Sequence, residues 1–291
     1  MKELVVISGK GGTGKTTVVG ALAALAEDKV IADCDVDAAD LHLILRPQVQ
    51  KTIGYEGSEL AVIDQRLCTG CGECVRACRF DAVLEEGGRL RIDPLSCEGC
   101  GACAHACPMD AISLKPRLSG WIHVSSTPYG TLVHGELRPG EEISGKLVTQ
   151  VKWRARELGR LEGAKLLLVD GAPGIGCPVI ASLSGAHFAL VVTEPSRSAL
   201  HDLARVVEVA RHFRARPFLV INKADLSPGL TREIEDYARR AGLVLVGRIP
   251  YDEGVVRAQV AGCTVVEDGD GPAARALHKL WGKLAPELEI R

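Results

Sequence analysis

The stretch LVVISGKGGTGKTTVVGALAALA, residues 4–26, constrains the fold more than any other part of the chain. Leu4–Ile7 form a continuous apolar run, as in a parallel strand buried on both faces. Gly9, Gly14, Lys15 and Thr16 then satisfy G-x-x-x-x-G-K-[S/T]. Val18, Val19, Ala21, Leu22 and Leu25 give the helix that follows an apolar face. Glycines let backbone N–H groups close around phosphate oxygens, and a helix N-terminus favours negative charge. Lys15 is expected to reach the β- and γ-phosphates of a nucleotide, and the Thr16 hydroxyl to bind Mg²⁺. Strand, glycine loop and helix in succession predict an α/β fold with a mostly parallel sheet flanked by helices.

Two further strands end in carboxylates. In KVIADCDVDAADLHL, Val30–Ala32 run into Asp33 and Asp35, and acidic groups at a carboxyl strand end sit where open α/β sheets bind ligands. A turn or capping role is the plainer reading for Asp33, Asp37 and Asp40. In GAKLLLVDGAPGIGCPVI, Leu166–Val169 lead to Asp170, placed to complete a Mg²⁺ shell. Gly171 and Gly174 suit a mobile loop that orders on a γ-phosphate. FALVVTEP, PFLVINKAD and LVLVGRIPYD read as later strands, and SGKLVTQVKWRAREL as a helix capped by Ser144 with Leu147, Val151 and Leu158 inward.

Eleven cysteines are many for 291 residues. A disulfide framework fits poorly in a chain this large that reads as cytoplasmic. Cys68, Cys71, Cys74 and Cys78 fit C-x₂-C-x₂-C-x₃-C; so do Cys97, Cys100, Cys103 and Cys107, with Pro108 next. Arg79 stands where the second copy has that proline. C-x₂-C pairs alone also suit zinc. Two complete runs at one offset resemble bacterial two-cluster ferredoxins, in which each fourth cysteine ligates the other cluster. The resemblance implies one [4Fe–4S] cluster on Cys68, Cys71, Cys74 and Cys107, and a second on Cys97, Cys100, Cys103 and Cys78. LEEGGRLRID between the runs reads as a hairpin turning at Gly87-Gly88.

GKGGTGKTT, with Lys10 directly after Gly9, resembles the deviant Walker A loop of the MinD/Mrp/nitrogenase-iron-protein class of P-loop ATPases. A solvated loop lysine is the plainer reading of Lys10. The resemblance implies that Lys10 reaches the nucleotide of a second copy in a face-to-face homodimer, acting there as an arginine finger does. It makes Lys10, Lys15, Asp35 and Asp170 the catalytic candidates, with Asp35 positioning the attacking water. Gly9, Gly11, Gly12, Thr13, Gly14, Lys15, Thr16 and Thr17 would hold ATP or ADP, with Asn222 and Pro250 at the purine. Asn222-Lys223-Ala224-Asp225 also resembles the N-K-x-D motif of GTPases, which leaves GTP open and adds Asp225; a turn before LSPGL is the plainer reading there. The whole chain then reads as a P-loop NTPase in two parts, 1–60 and 114–291, around a small ferredoxin-like α+β insert at 61–113.

Cys34 and Cys263 read as structural. Cys177 follows Asp170 by seven residues, at the offset of the shared-cluster cysteine of the nitrogenase iron protein. The second cysteine of that design is missing between Cys107 and Asp170. Cys177 is therefore either a metal or transient-cluster ligand across a twofold axis, or a buried thiol at a helix start. The histidines show no paired metal spacing, and His105 reads as exposed. ARALHKLWGKLAPEL is amphipathic, and Pro286 with the acidic end favours a docked helix over a membrane anchor. A net charge of −2 gives no electrostatic case for nucleic acid. The lack of a membrane-length apolar run or a signal peptide predicts a cytoplasmic protein. Three roles follow as expectations. One is ATP-driven iron–sulfur or metallocofactor maturation with a protein client. Another is ATP-gated electron donation to an acceptor, and the third is a nucleotide-dependent redox sensor or spatial organiser.

Overall fold

Apolar runs become the inner strands of one sheet. The computed structural model describes residues 1–36, 39–141 and 145–289. Its strands are β1 (Lys2–Ser8), β2 (Lys29–Asp33), β3 (Gln48–Ile63), β4 (Val83–Glu86), β5 (Arg89–Ile92), β6 (Ile112–Thr127), β7 (Gly130–Leu137), β8 (Leu166–Pro173), β9 (Phe188–Thr193), β10 (Arg216–Ile221) and β11 (Val244–Arg248). Its helices are α1 (Lys15–Leu25), α2 (Leu41–Leu45), α3 (Glu73–Ala77), α4 (Ala102–His105), α5 (Gly145–Leu161), α6 (Cys177–Leu183), α7 (Arg197–His212), α8 (Pro228–Arg240), α9 (Glu253–Val260), α10 (Val265–Asp268) and α11 (Pro272–Glu287). The sheet runs β11-β10-β9-β1-β8-β2-β7-β6-β3, and every pair from β11 to β7 is parallel. An α/β fold with a mostly parallel sheet and flanking helices is what the first strand and loop implied.

The chain divides into two compact units. The first comprises Met1–Ile53, Ile122–Glu136 and Ile143–Arg291; the second comprises Gly54–Trp121 and Leu137–Glu142. β3 and β6 each begin in one unit and end in the other.

In the first unit, Leu4, Val6, Leu22, Ile31, Leu168, Leu190 and Val220 lie in one core with Leu277, Leu280 and Leu284 of α11. Trp281 packs half-buried against it, so the amphipathic tail is a core-covering helix. Among the described residues no helix is long and apolar enough to cross a membrane. Leu147 and Val151 of α5 are buried and Leu158 is half-buried; Ser144, the expected cap, and Asp37 lie outside the described residues. From α5, the buried Lys152 pairs with Glu3 (2.5 Å) and donates to the Ser184 carbonyl (2.9 Å), which ties α5 and β1 to the end of α6.

Gly171 departs from the expectation of a mobile loop. It lies buried within β8, where a Cβ would stand 2.8 Å from Ile7 Cγ2 and 3.0 Å from the Val6 carbonyl. Its lack of a side chain lets β8 close on β1, and the turn begins at Gly174.

Three histidines far apart in sequence meet beside β7. The His134 ring stands 5.0 Å from His123 and 6.4 Å from His42, centroid to centroid. Burial first, then repulsion from His123 and His42, pull the His134 pKa down to about 4 against the attraction of Glu136. The folded state thus binds this proton less tightly than the unfolded state. Stability should fall as pH drops from about 6.5 toward 4. His134→Gln should flatten that segment of a stability–pH profile measured by urea unfolding.

The second unit is built twice. Asp64 N–H donates to the Ala111 carbonyl (2.8 Å), and Asp93 N–H, 29 residues on, donates to the Ala82 carbonyl (2.7 Å). The start of each cysteine run therefore pairs with the end of the other. β4 and β5 form an antiparallel hairpin turning at Gly87 and Gly88, both at positive φ, as the sequence implied. The core here is small: Val83, Leu90 and Ile112 with Ala61, Ala82, Cys74, Cys97 and Cys103.

Candidate functional site: a phosphate loop and two cysteine-lined cavities

The loop between β1 and α1 opens onto a cavity of about 450 Å³. Gly11, Gly12, Thr13, Gly14, Lys15, Thr16 and Thr17 line it, with Asp35, Asn222 and Pro250. The volume falls in the range of small-molecule sites. Parallel pairing puts the carboxyl ends of β1, β2 and β8 side by side, with Asp33 opposite Asp170. Lys15 is buried and ion-pairs with Asp170 and, at 3.1 Å, with Asp35. Burial works against its charge, and the carboxylates of Asp170 and Asp35 more than offset this, so its pKa is raised. Asp170 is pushed up by burial despite Lys15, and the Thr16 hydroxyl hydrogen-bonds it. Thr16 and Asp170 are thus adjacent, as a Mg²⁺ shell requires.

Asp33 takes the turn role. One carboxylate oxygen accepts the Asp35 N–H (3.1 Å), and burial followed by the Asp170 charge raises its pKa well above the ordinary value. Asp40 stands at the start of α2 without a side-chain cap and lines the cavity.

Asn222 grips the loop: its Nδ2 donates to the Thr13 carbonyl (2.8 Å), while Lys223 Nζ donates to the Gly12 carbonyl (3.0 Å). Asp225 stands outside this cavity, in an exposed cleft with Arg232 and Arg248. Its carboxylate accepts the Tyr251 N–H (2.6 Å), which places it in a turn. Lys10 and Gly9 do not line the cavity. The Lys10 ammonium instead pairs with Glu194 at 2.7 Å. Sequence reasoning missed Glu194, yet it directly follows the apolar run of β9, the signal that exposed Asp33 and Asp170.

Tyr251 and Gln259 also line the cavity, and one carboxylate fixes the segment that carries them. Asp252 caps α9 through Gly254 N–H (2.8 Å) and also accepts the Ala273 N–H of α11 (3.0 Å). These two bonds, the Ala273 one foremost, hold its pKa below the ordinary range. The stabilisation is therefore present at neutral pH and lost as pH falls through the folded pKa. Asp252→Ala should cost roughly 1–3 kcal/mol in chemical unfolding at pH 7, as the loss of two helix caps implies, and less at low pH.

In the second unit, Cys68, Cys71, Cys74 and Cys107 line one cavity with Ile63, Leu90 and Ile112. Cys78, Cys97, Cys100 and Cys103 line another with Ala61, Phe80 and Ile92. The loops match: Gly70 and Gly72 repeat as Gly99 and Gly101, all at positive φ, which brings backbone amides round toward the sulfurs. Ala111 N–H donates to Cys107 Sγ (3.4 Å). Among the described residues no group of three or more His, Cys, Asp or Glu closes on a single metal ion.

Cys177 opens α6 and is exposed, so it is not a buried thiol. Cys34 is fully buried just past β2, and burial pushes its thiol pKa up. Cys263 is half-buried, with Sγ directed at the Ala258 carbonyl (3.5 Å). His105 is exposed.

Known proteins resemble the chain along its whole length. An uncharacterized protein of Methanocaldococcus jannaschii is 36% identical over 228 residues, covering 77% of this chain and 79% of that one. An iron-sulfur cluster carrier protein of Pyrococcus abyssi is 26% identical over 303 residues, covering 99% and 86%. Among solved structures, the cell division ATPase MinD of Pyrococcus furiosus superposes with a TM-score of 0.58 at 19% identity, covering 98% of this chain and 99% of that one. Residues 4–265 match the family model of the CobQ/CobB/MinD/ParA nucleotide binding domain. With the loop, its lysine and the carboxylates of β2 and β8 in place, the chain belongs to this CobQ/CobB/MinD/ParA family of P-loop nucleotide-binding proteins.

Proposed function

We propose that the chain is an ATP-hydrolysing, iron–sulfur-binding homodimer that serves the maturation of iron–sulfur or other metallocofactor proteins. The observation that carries this is the sorting of eight cysteines into two sets of four, within a chain whose nucleotide loop holds Lys10 as well as Lys15. The likeness to iron-sulfur cluster carrier proteins supports the role.

The donor sets fit their groups. Thr16 and Asp170 would hold Mg²⁺; Cys68, Cys71, Cys74 and Cys107 would hold one [4Fe–4S] cluster, and Cys97, Cys100, Cys103 and Cys78 the second, in a ferredoxin-like insert at 61–113. When bound, Mg²⁺ supplies charge neutralisation at the phosphates and the clusters supply one-electron storage. The chain's residues do the rest. Loop amides from Gly11 to Thr17 cradle the phosphates, Lys15 moves from the carboxylates onto them, and Asp35 orients the attacking water. Asn222 and Pro250 flank the purine of ATP, and Asp225 serves the Tyr251 turn. Lys10 reaches the nucleotide of a second copy. Cys177, exposed at the start of α6, is the candidate ligand for cargo carried to a client.

A second reading, ATP-gated electron donation, is favoured by the exposure of Cys71 and Cys100, one per cavity. Anaerobic purification with iron, sulfide and EPR analysis, with and without ATP, separates the two. Maturation requires a labile cluster or metal that moves to an apo-target, with less transfer after Cys177→Ala. Donation requires an ATP-dependent change in potential or in acceptor reduction. Non-transferable iron and no ATP effect would sink both.

A further inference from the structure

Glu194 follows β9 and holds two lysines at once. One oxygen meets Lys10 Nζ at 2.7 Å and the other meets Lys223 Nζ at 3.1 Å. The Glu194 side chain is 18% exposed, so these charges face each other partly out of water. Burial works against the Glu194 charge, and the hydrogen bonds from Lys10 and Lys223 more than offset it. Lys10 Nζ also donates to Ser196 Oγ and Ser198 Oγ, each at 3.1 Å. An ammonium has three donors, and here all three are engaged within its own chain. Lys223, meanwhile, holds the Gly12 carbonyl and adopts φ +52, a left-handed backbone rare outside glycine. Its N–H is taken by Asn222 Oδ1 (3.0 Å), and Asn222 holds the Thr13 carbonyl. A single carboxylate thus links Lys10, at one end of the phosphate loop, to the pair that grips the other end.

We propose that Glu194 is a positioning residue that parks Lys10 on its own chain, so that joining two copies over nucleoside triphosphate requires breaking the Glu194–Lys10 pair. The inference rests on the reading that Lys10 serves a second copy. Lys10 is absent from the lining of its own cavity, and its ammonium is satisfied elsewhere. Reaching a partner's phosphate exchanges three bonds to Glu194, Ser196 and Ser198 for new ones. Glu194 sets how much protein and triphosphate that exchange needs, because its bond is the charge-assisted one of the three. The same carboxylate steadies Lys223 and hence the Gly12 carbonyl, so parking and loop shape are coupled.

Sedimentation of the full chain with Mg²⁺ and a non-hydrolysable ATP analogue tests this. Glu194→Gln should lower the protein concentration at half-dimerisation about tenfold, the order expected for loss of one charge-assisted bond. Ser198→Ala, which leaves Lys223 untouched, should shift it the same way by about two- to threefold. In a Lys10→Ala background neither substitution should shift it, because both act through Lys10. An unchanged or weaker dimer for Glu194→Gln with an unshifted Ser198→Ala overturns the proposal. An equal shift without Lys10 also does so, since that marks a merely structural role. If wild type and Lys10→Ala dimerise alike, the reading beneath the proposal fails, and that result is visible before either substitution is made.

Discussion

Lys15→Met should abolish tight nucleotide binding and, unusually for a surface-loop substitution, destabilise the empty protein. The first effect follows from the loss of the phosphate-facing cation: removing one partner of a desolvated charge pair costs on the order of 2–5 kcal/mol, or about 10²–10³ in affinity. The second follows from what Lys15 leaves behind. Asp33, Asp35 and Asp170 lie within one buried cluster, and Lys15 is the cation that contacts Asp35 and Asp170. Asp33 and Asp170 already hold their protons more tightly in the folded state than in the unfolded one. A raised carboxylate pKa makes stability fall as pH rises through the window between the unfolded and folded values. Without Lys15 that window should widen upward, so in EDTA the variant should be closer to wild type at pH 5 than at pH 7.5. Calorimetry at the two pH values measures it, and a deficit independent of pH would contradict the account.

Iron removal should unfold the second unit while leaving the first folded. The core of that unit holds three large aliphatic side chains, Val83, Leu90 and Ile112, and three of its other members are cysteines. So small an apolar core cannot by itself offset the ordering of its loops; metal binding would supply the difference. Hydrogen exchange after anaerobic chelation should show protection lost at 54–121 and kept in β1, β8 and β9. The crossed pairing gives a sharper form. Cys107→Ser should lower bound iron from about eight to about four atoms per chain, the count of two four-iron cubes. Adding Cys71→Ser should remove no more, because both serve one cavity, whereas adding Cys97→Ser should empty both. Runs that each closed on themselves would give the opposite pattern.

The sequence was most legible where one physical rule governs one segment. Apolar runs with carboxylates at their ends marked β1, β2 and β8, and the glycine loop needed no tertiary information. The crossed assignment of Cys78 and Cys107 came from spacing, and the cavity linings follow it. Legibility failed where polar residues belong to long strands. β3 is exposed along Gln48–Lys51 and shows no burial pattern there, so its 16 residues carried no strand signal. Gly171 looked like a hinge because glycine serves both mobility and close approach, and the neighbour that decides, β1, lies about 165 residues away in sequence. Glu194 and the three histidines are functions of topology: nothing local says that Lys10 and Glu194 will meet.

The crossed hydrogen bonds of the second unit also set a schedule. Asp64 waits for Ala111, and Cys68, Cys71 and Cys74 wait for Cys107, which leaves the ribosome 29 residues after Cys78. At ordinary elongation rates that is a delay of roughly 2–6 seconds. Throughout it the nascent chain displays one complete run of four thiols and no closed cavity. The unit therefore cannot mature half at a time, and whatever loads it must act after residue 112 has emerged.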